Sequence, residues 1–166
     1  METPLRQQEL DLSVDEKNFF LKLLEKNKKK LDIVNKKNSS KSTINFTLKN
    51  TVINDLIDRL SFKHFKLKDL PFSIRLHKYK DELEVPEHVD KTLFSLIYQF
   101  SDISGFKYYH NDQWNNFNYN QNKILLCFDE KSENYGFTPI PHKFLNETEN
   151  LRFSLTIHVD HDLDIR

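Results

Sequence analysis

Alanine is absent from this 166-residue sequence and glycine occurs only twice. Two glycines are too few for a glycine-rich phosphate loop or a dinucleotide fingerprint, which excludes P-loop and Rossmann-type nucleotide sites. A single cysteine, Cys127, excludes an internal disulfide and any cysteine-rich zinc site. It lies in the apolar run KILLCF beside Asp129 and Glu130, a setting that raises a thiol pKa instead of activating it. No Gly-x-Ser-x-Gly nucleophile motif is present. No stretch approaches the roughly 20 apolar residues of a membrane helix. The opening METPLRQQELDLSVDE has no apolar segment behind a basic start, so no secretory signal is expected and the expectation is a cytoplasmic protein.

What is present is aromatic and polar. Fourteen Phe and six Tyr give a globular composition. The 16 Asn and 20 Lys, against only 5 Arg, follow the codon usage of an AT-rich genome, so lysine richness alone is weak evidence of function. Charge is uneven: residues 1–80 carry 18 basic and 10 acidic side chains, residues 81–166 carry 7 and 15. The densest basic run extends from Lys22 to Lys41. It is a candidate phosphate-contacting surface, but it has neither arginine for base readout nor interleaved aromatics for stacking.

Periodicity predicts the elements. Ser13 and Glu16 have capping-box spacing, and a helix follows from about Val14 to about Asn35, ending in the polar loop NKKNSSKS. STINFTLK and LPFSIRLHKY alternate as half-buried strands, with a short helix, NTVINDLIDRL, between them. VPEHVDKTLFSLIYQF reads as the clearest helix. Pro86 suits its first turn, Glu87 and Asp90 favour its positive end, and Val89, Leu93, Leu96, Ile97 and Phe100 form its apolar stripe. GFKYYH and KILLCF are further strands.

The final stretch LRFSLTIHVDHDLDIR places Phe153, Leu155, Ile157 and Val159 on one face of a long strand and Ser154, Thr156, His158 and Asp160 on the other. His158 and His161 therefore point apart. TIHVDH resembles part of the metallo-β-lactamase signature H-x-H-x-D-H, yet Thr156 occupies the first ligand position and only five residues follow His161. His158 and Asp160 remain neighbours that a third ligand, such as His77 or His142, would complete.

The fold expected is a single α+β domain over 13–166, after a loose leader at 1–12: a mostly antiparallel sheet of about five strands with two or three helices on one face. The segment YYHNDQWNNFNYNQN supplies Tyr108, Tyr109, Trp114, Phe117 and Tyr119 in an asparagine-rich loop, a composition suited to partner binding. The sequence thus reads as a non-catalytic protein-binding module, a complex subunit or a small inhibitor or immunity-type protein. No catalytic residue, metal ligand or cofactor is assigned. Two alternatives stand beside it: a metal-dependent hydrolase centred on His158 and Asp160, and a nucleic-acid-binding accessory protein using Lys22–Lys41.

Overall fold

The carboxyl-terminal alternation forms the middle of the molecule. In the computed structural model, which describes residues 7–34, 41–46, 50–79, 83–101, 105–146 and 152–162, it becomes a strand over Arg152–Val159. The described strands are β1 (Glu9–Asp11), β2 (Lys41–Phe46), β3 (Phe72–Tyr79), β4 (Leu83–His88), β5 (Phe94–Gln99), β6 (Lys107–His110), β7 (Gln113–Asn116), β8 (Lys123–Phe128), β9 (His142–Asn146) and β10 (Arg152–Val159). Two α-helices, α1 (Val14–Val34) and α2 (Thr51–Phe65), precede β2 and β3, and a 3-10 turn spans Glu130–Tyr135.

The strands form two antiparallel sheets, one of six strands ordered β1-β8-β5-β10-β3-β2 and one of four ordered β4-β9-β6-β7. This double-sheet jelly roll replaces the expected single sheet of about five strands. β10 is flanked by β5 and β3. Its polar face forms a wall between the sheets.

The largest correction concerns Pro86–Phe100. No helix forms there: the segment supplies β4 and β5, and every residue of β5 is buried. A strand covered on both faces is apolar at nearly every position, so it matches a helical stripe as readily as an extended one. Pro86 is accommodated because β4 is an edge strand with a register shift between Val85 and His88. Glu9–Asp11, read as part of the leader, pairs with Leu125, Ile124 and Lys123.

Period-two alternation gives the six-stranded sheet two different faces. Ile74, Leu76, Phe94, Leu96, Tyr98, Leu155, Ile157 and Val159 are buried on the helix side. There Phe20 of α1 meets Tyr98 at a centroid distance of 5.1 Å, and Phe65 of α2 stacks on Phe94 at 5.7 Å. The opposite face carries Arg75, His77, Tyr79, Ser95, Cys127, Ser154, Thr156 and His158. The helices end as local chemistry dictates. The Ser13 hydroxyl accepts from the Glu16 amide and Glu16 Oε1 accepts from the Ser13 amide. Asn50 Oδ1 accepts from the Val52 amide at 2.9 Å. Each such cap is worth about 1 kcal/mol. Among the described residues, no helix is long and apolar enough to cross a membrane.

Candidate metal centre

The site begins with the irregularity in β4. Val85 pairs with Phe144 of β9, and His88 pairs with His142, so two residues of β4 lie opposite one of β9. An unbroken ladder would set Glu87 opposite His142. The extra residue of the bulge shifts the alternation by one, turning His88 inward and leaving Glu87 exposed. Asp90 follows two residues later. The His88 and His142 rings then stand 4.3 Å apart at their centroids.

Three donor groups converge. His88 Nε2 lies 3.7 Å from Asp90 Oδ1, and His142 Nε2 lies 3.5 Å from Asp90 Oδ2. Two ligands each about 2.1 Å from one ion stand at most about 4.2 Å apart, so these separations fit a shared metal. The ring orientations fit as well. His88 Nδ1 donates to the Pro86 carbonyl at 3.0 Å and His142 Nδ1 to the Ile140 carbonyl at 3.3 Å, which leaves both Nε2 atoms aimed at Asp90.

Burial opposes ionisation of Asp90. The hydrogen bond to His142 and the surrounding imidazoles of His158, His142 and His88 outweigh it and hold the carboxyl at about 2. Burial likewise opposes a proton on His142, but Cys127 and the Asp90 carboxylate outweigh it and raise the imidazole to about 11. A bound cation would take the place of that proton, since metal binding releases protons from its ligands. An ionised carboxylate and two imidazoles make a two-histidine, one-carboxylate set with open positions, a combination suited to non-haem iron(II).

Asp90, Asp129 and His158 form a second convergent group. Its centre is already filled: the Ser95 hydroxyl lies 2.5 Å from Asp129 Oδ2, 2.9 Å from His158 Nδ1 and 3.5 Å from Asp90 Oδ2. The Ser95 hydroxyl thus bridges Asp129 and the His158 ring. Burial keeps His158 neutral, its pKa falling to about 4, and Arg75 adds to that effect. Burial and the Asp90 charge raise Asp129 to about 7. Ser95 links this group to Asp90, and Asp129 Oδ1 is buried without a hydrogen-bond partner.

Beside the three donors a cavity of about 130 Å³ runs between the sheets, lined by Arg75, His77, Tyr79, Ile97, Phe106, Ser154, Thr156 and His158 among others. His77 is held between Thr43 and Thr156 at 2.9 and 3.0 Å, and Tyr79 Oη lies 3.0 Å from Ser154 Oγ. A larger groove of about 730 Å³ lies between α1 and the start of α2, lined by Lys22, Lys26 and Lys30. Among the described residues it holds no convergent metal-ligating group, and residues 35–40 of the basic segment lie outside them.

The residues singled out in the sequence are dispersed. Tyr108 and Phe117 are buried, with the Tyr108 hydroxyl donating to Glu9 Oε2 at 2.6 Å. Tyr109 and Trp114 face each other across the β6–β7 hairpin, and Lys143 Nζ sits 4.1 Å above the Trp114 ring. Tyr119 is exposed. His158 borders the metal set, but Asp160 is engaged by Lys131 at 2.6 Å and by the His161 amide at 2.7 Å. His142, a spare histidine in the sequence, is a donor. His88 and Asp90 escape the sequence reading because a helix is assigned to them. In an extended segment the pattern H-x-D lies on one face, and that was the available signal.

No protein-family model matches the sequence, and no curated protein matches it. Solved structures do resemble the fold. A Pseudomonas putida prolyl-4-hydroxylase superposes with a TM-score of 0.69 at 10% identity, over 93% of this chain and 91% of that one. A full-length Neurospora crassa protein, crystallised with alpha-KG and 5-formyluracil, gives 0.61 at 10% identity, over 92% and 73%. JOX2 in complex with 2OG, Fe and JA gives 0.53 at 13% identity, over 76% of this chain and 52% of that one, so this chain spans about half its length. The likeness is one of fold. Together with the convergent donors it overturns the non-catalytic protein-binding reading and its protein or nucleic-acid partners. It favours the metal-dependent alternative, with the centre moved from His158 and Asp160 to His88, Asp90 and His142.

Proposed function

We propose that this chain is an iron(II)- and 2-oxoglutarate-dependent oxygenase acting on a small molecule. The observation that carries the reading is the set His88, Asp90 and His142, with donor separations of 3.5 and 3.7 Å, opening onto a polar cavity between two jelly-roll sheets. The proteins of like fold crystallised with alpha-KG or with 2OG and Fe support it.

His88, Asp90 and His142 would hold the metal. Bound iron would supply activation of dioxygen, coupled to conversion of 2-oxoglutarate into succinate and carbon dioxide and to oxidation of a substrate C–H bond. The protein's own residues bind and orient. Strand alternation puts Arg152 on the same face as Ser154, Thr156 and His158, and it pairs in register with Tyr79. Arg152, Ser154 and Tyr79 thus gather at the end of the face away from the metal, where they suit the distal carboxylate of the co-substrate. Burial raises the Tyr79 phenol well above its ordinary value, so it stays a neutral hydrogen-bonding group. Phe106, Ile97 and Phe144 supply apolar wall to the cavity. A cytoplasmic location forms part of this proposal, since a reducing compartment keeps an open iron site ferrous.

The test is succinate formation from 2-oxoglutarate in air with iron(II) and a reductant. The expected result is turnover that requires iron and is abolished in His88→Ala and Asp90→Asn. Succinate at the metal-free rate, or at parental rate in Asp90→Asn, contradicts the proposal.

A further inference from the structure

One cation of the cavity is left over by the proposed reaction. Arg75 lies on the cavity wall, its Nε is buried without a hydrogen-bond partner, and no carboxylate among the described residues pairs with it. Arg75 is half-buried, and a buried guanidinium N–H left without an acceptor is costly unless an anion completes it. In register Arg75 lies opposite Thr156, one strand repeat from the Ser73–His158 pair at the metal end and two repeats from the Tyr79–Arg152 pair at the far end. The distal carboxylate of the co-substrate belongs to the far end and its other end to the metal. Arg75 therefore serves a different anion, close to the reacting centre.

Resting on the oxygenase reading, we infer that Arg75 recognises a carboxylate on the substrate, so that the substrate class is a small carboxylic acid oxidised at a carbon near the acid group. Charge and size select a carboxylate over a phosphate. Among the described residues lining the cavity Arg75 is the one arginine or lysine, and a space of about 130 Å³ suits a compact, planar monoanion better than a tetrahedral dianion. The planar guanidinium fork matches a carboxylate with two parallel hydrogen bonds, and the Thr156 hydroxyl opposite offers a third polar contact.

The experiment loads the protein with cobalt(II), saturates it with 2-oxoglutarate, and titrates acetate, acetamide and inorganic phosphate while following the cobalt absorption spectrum. Acetate is expected to perturb the spectrum, acetamide not to, and phosphate to bind at least tenfold more weakly than acetate. In Arg75→Gln the acetate affinity should fall at least tenfold and in Arg75→Lys by less, while 2-oxoglutarate affinity stays within about twofold in both. Thermal melts of both variants should match the parent, because no ion pair is broken. The inference is overturned if acetate binds Arg75→Gln as it binds the parent, if phosphate binds more tightly than acetate, or if Arg75→Gln loses 2-oxoglutarate as severely as Arg152→Gln does. If the parent binds neither cobalt nor 2-oxoglutarate, the oxygenase reading itself falls; if it binds both but not acetate, only the substrate assignment falls.

Discussion

Adding metal to the purified protein should stabilise it by an amount that can be worked out beforehand. His88 and Asp90 are more than 50 positions from His142, so an unfolded polypeptide offers no comparable site and the ion binds the folded state preferentially. In the folded state the three donors already stand 3.5 and 3.7 Å apart, and binding displaces only the contacts between Asp90 and the two imidazoles. A ligand at a hundred times its dissociation constant stabilises by about 2.7 kcal/mol. For a domain of this length each kcal/mol raises Tm by about 2–4 °C, which gives a shift of about 5–11 °C. The assay is a thermal melt of the chelator-treated protein with and without cobalt(II) or anaerobic iron(II). Asp90→Asn keeps the shape of the side chain and removes its charge, so its own metal-induced shift should fall below about 2 °C. An equal shift in Asp90→Asn, or none in the parent, would refute the reasoning.

Three further outcomes follow from the same geometry. Moving the histidine back by one residue, as Glu87→His with His88→Ala, should bind cobalt no better than His88→Ala alone, because position 87 faces outward; restored binding in a cobalt titration would disprove the role of the bulge. Ile157→Ala, at a fully buried position between Leu96 and Ile74, should cost about 2–5 kcal/mol in urea denaturation, and a loss under about 1 kcal/mol would show that the helix-side core is assigned wrongly. Gly105→Ala should destabilise by about 1–2 kcal/mol, since Gly105 has φ +81° and a Cβ there would lie 3.3 Å from the Leu145 carbonyl oxygen; an unchanged urea midpoint would contradict this.

Legibility of the fold varied with how each element is covered. α1 could be read because its capping box and its buried stripe of Phe20, Leu23, Leu24 and Leu31 are local signals. β3 and β10 could be read because one face of each is apolar and the other polar. β5 could not: Phe94–Gln99 is buried throughout, and although Ser95 and Gln99 share one face, Ile97 lies between them, so Phe94, Leu96, Ile97 and Tyr98 match a helical stripe as readily as a strand. That misreading hid the site, because it placed His88 and Asp90 on a helix. The aromatic segment was half legible. Asn111 and Asp112 both take positive φ, at 55° and 62°, and close a tight β6–β7 hairpin in which Tyr109 and Trp114 pair. What no single-sequence pattern could supply was the meeting of His142 with His88, since a bulge in one strand sets it.

The metal assignment is tested most directly by anomalous diffraction from a crystal of the protein loaded with cobalt(II) or iron(II). One strong peak is expected, bonded to His88 Nε2, an Asp90 carboxylate oxygen and His142 Nε2, with Ser95 still hydrogen-bonded between Asp129 and His158. A peak among Asp90, Asp129 and His158, or no peak between the sheets, would contradict it.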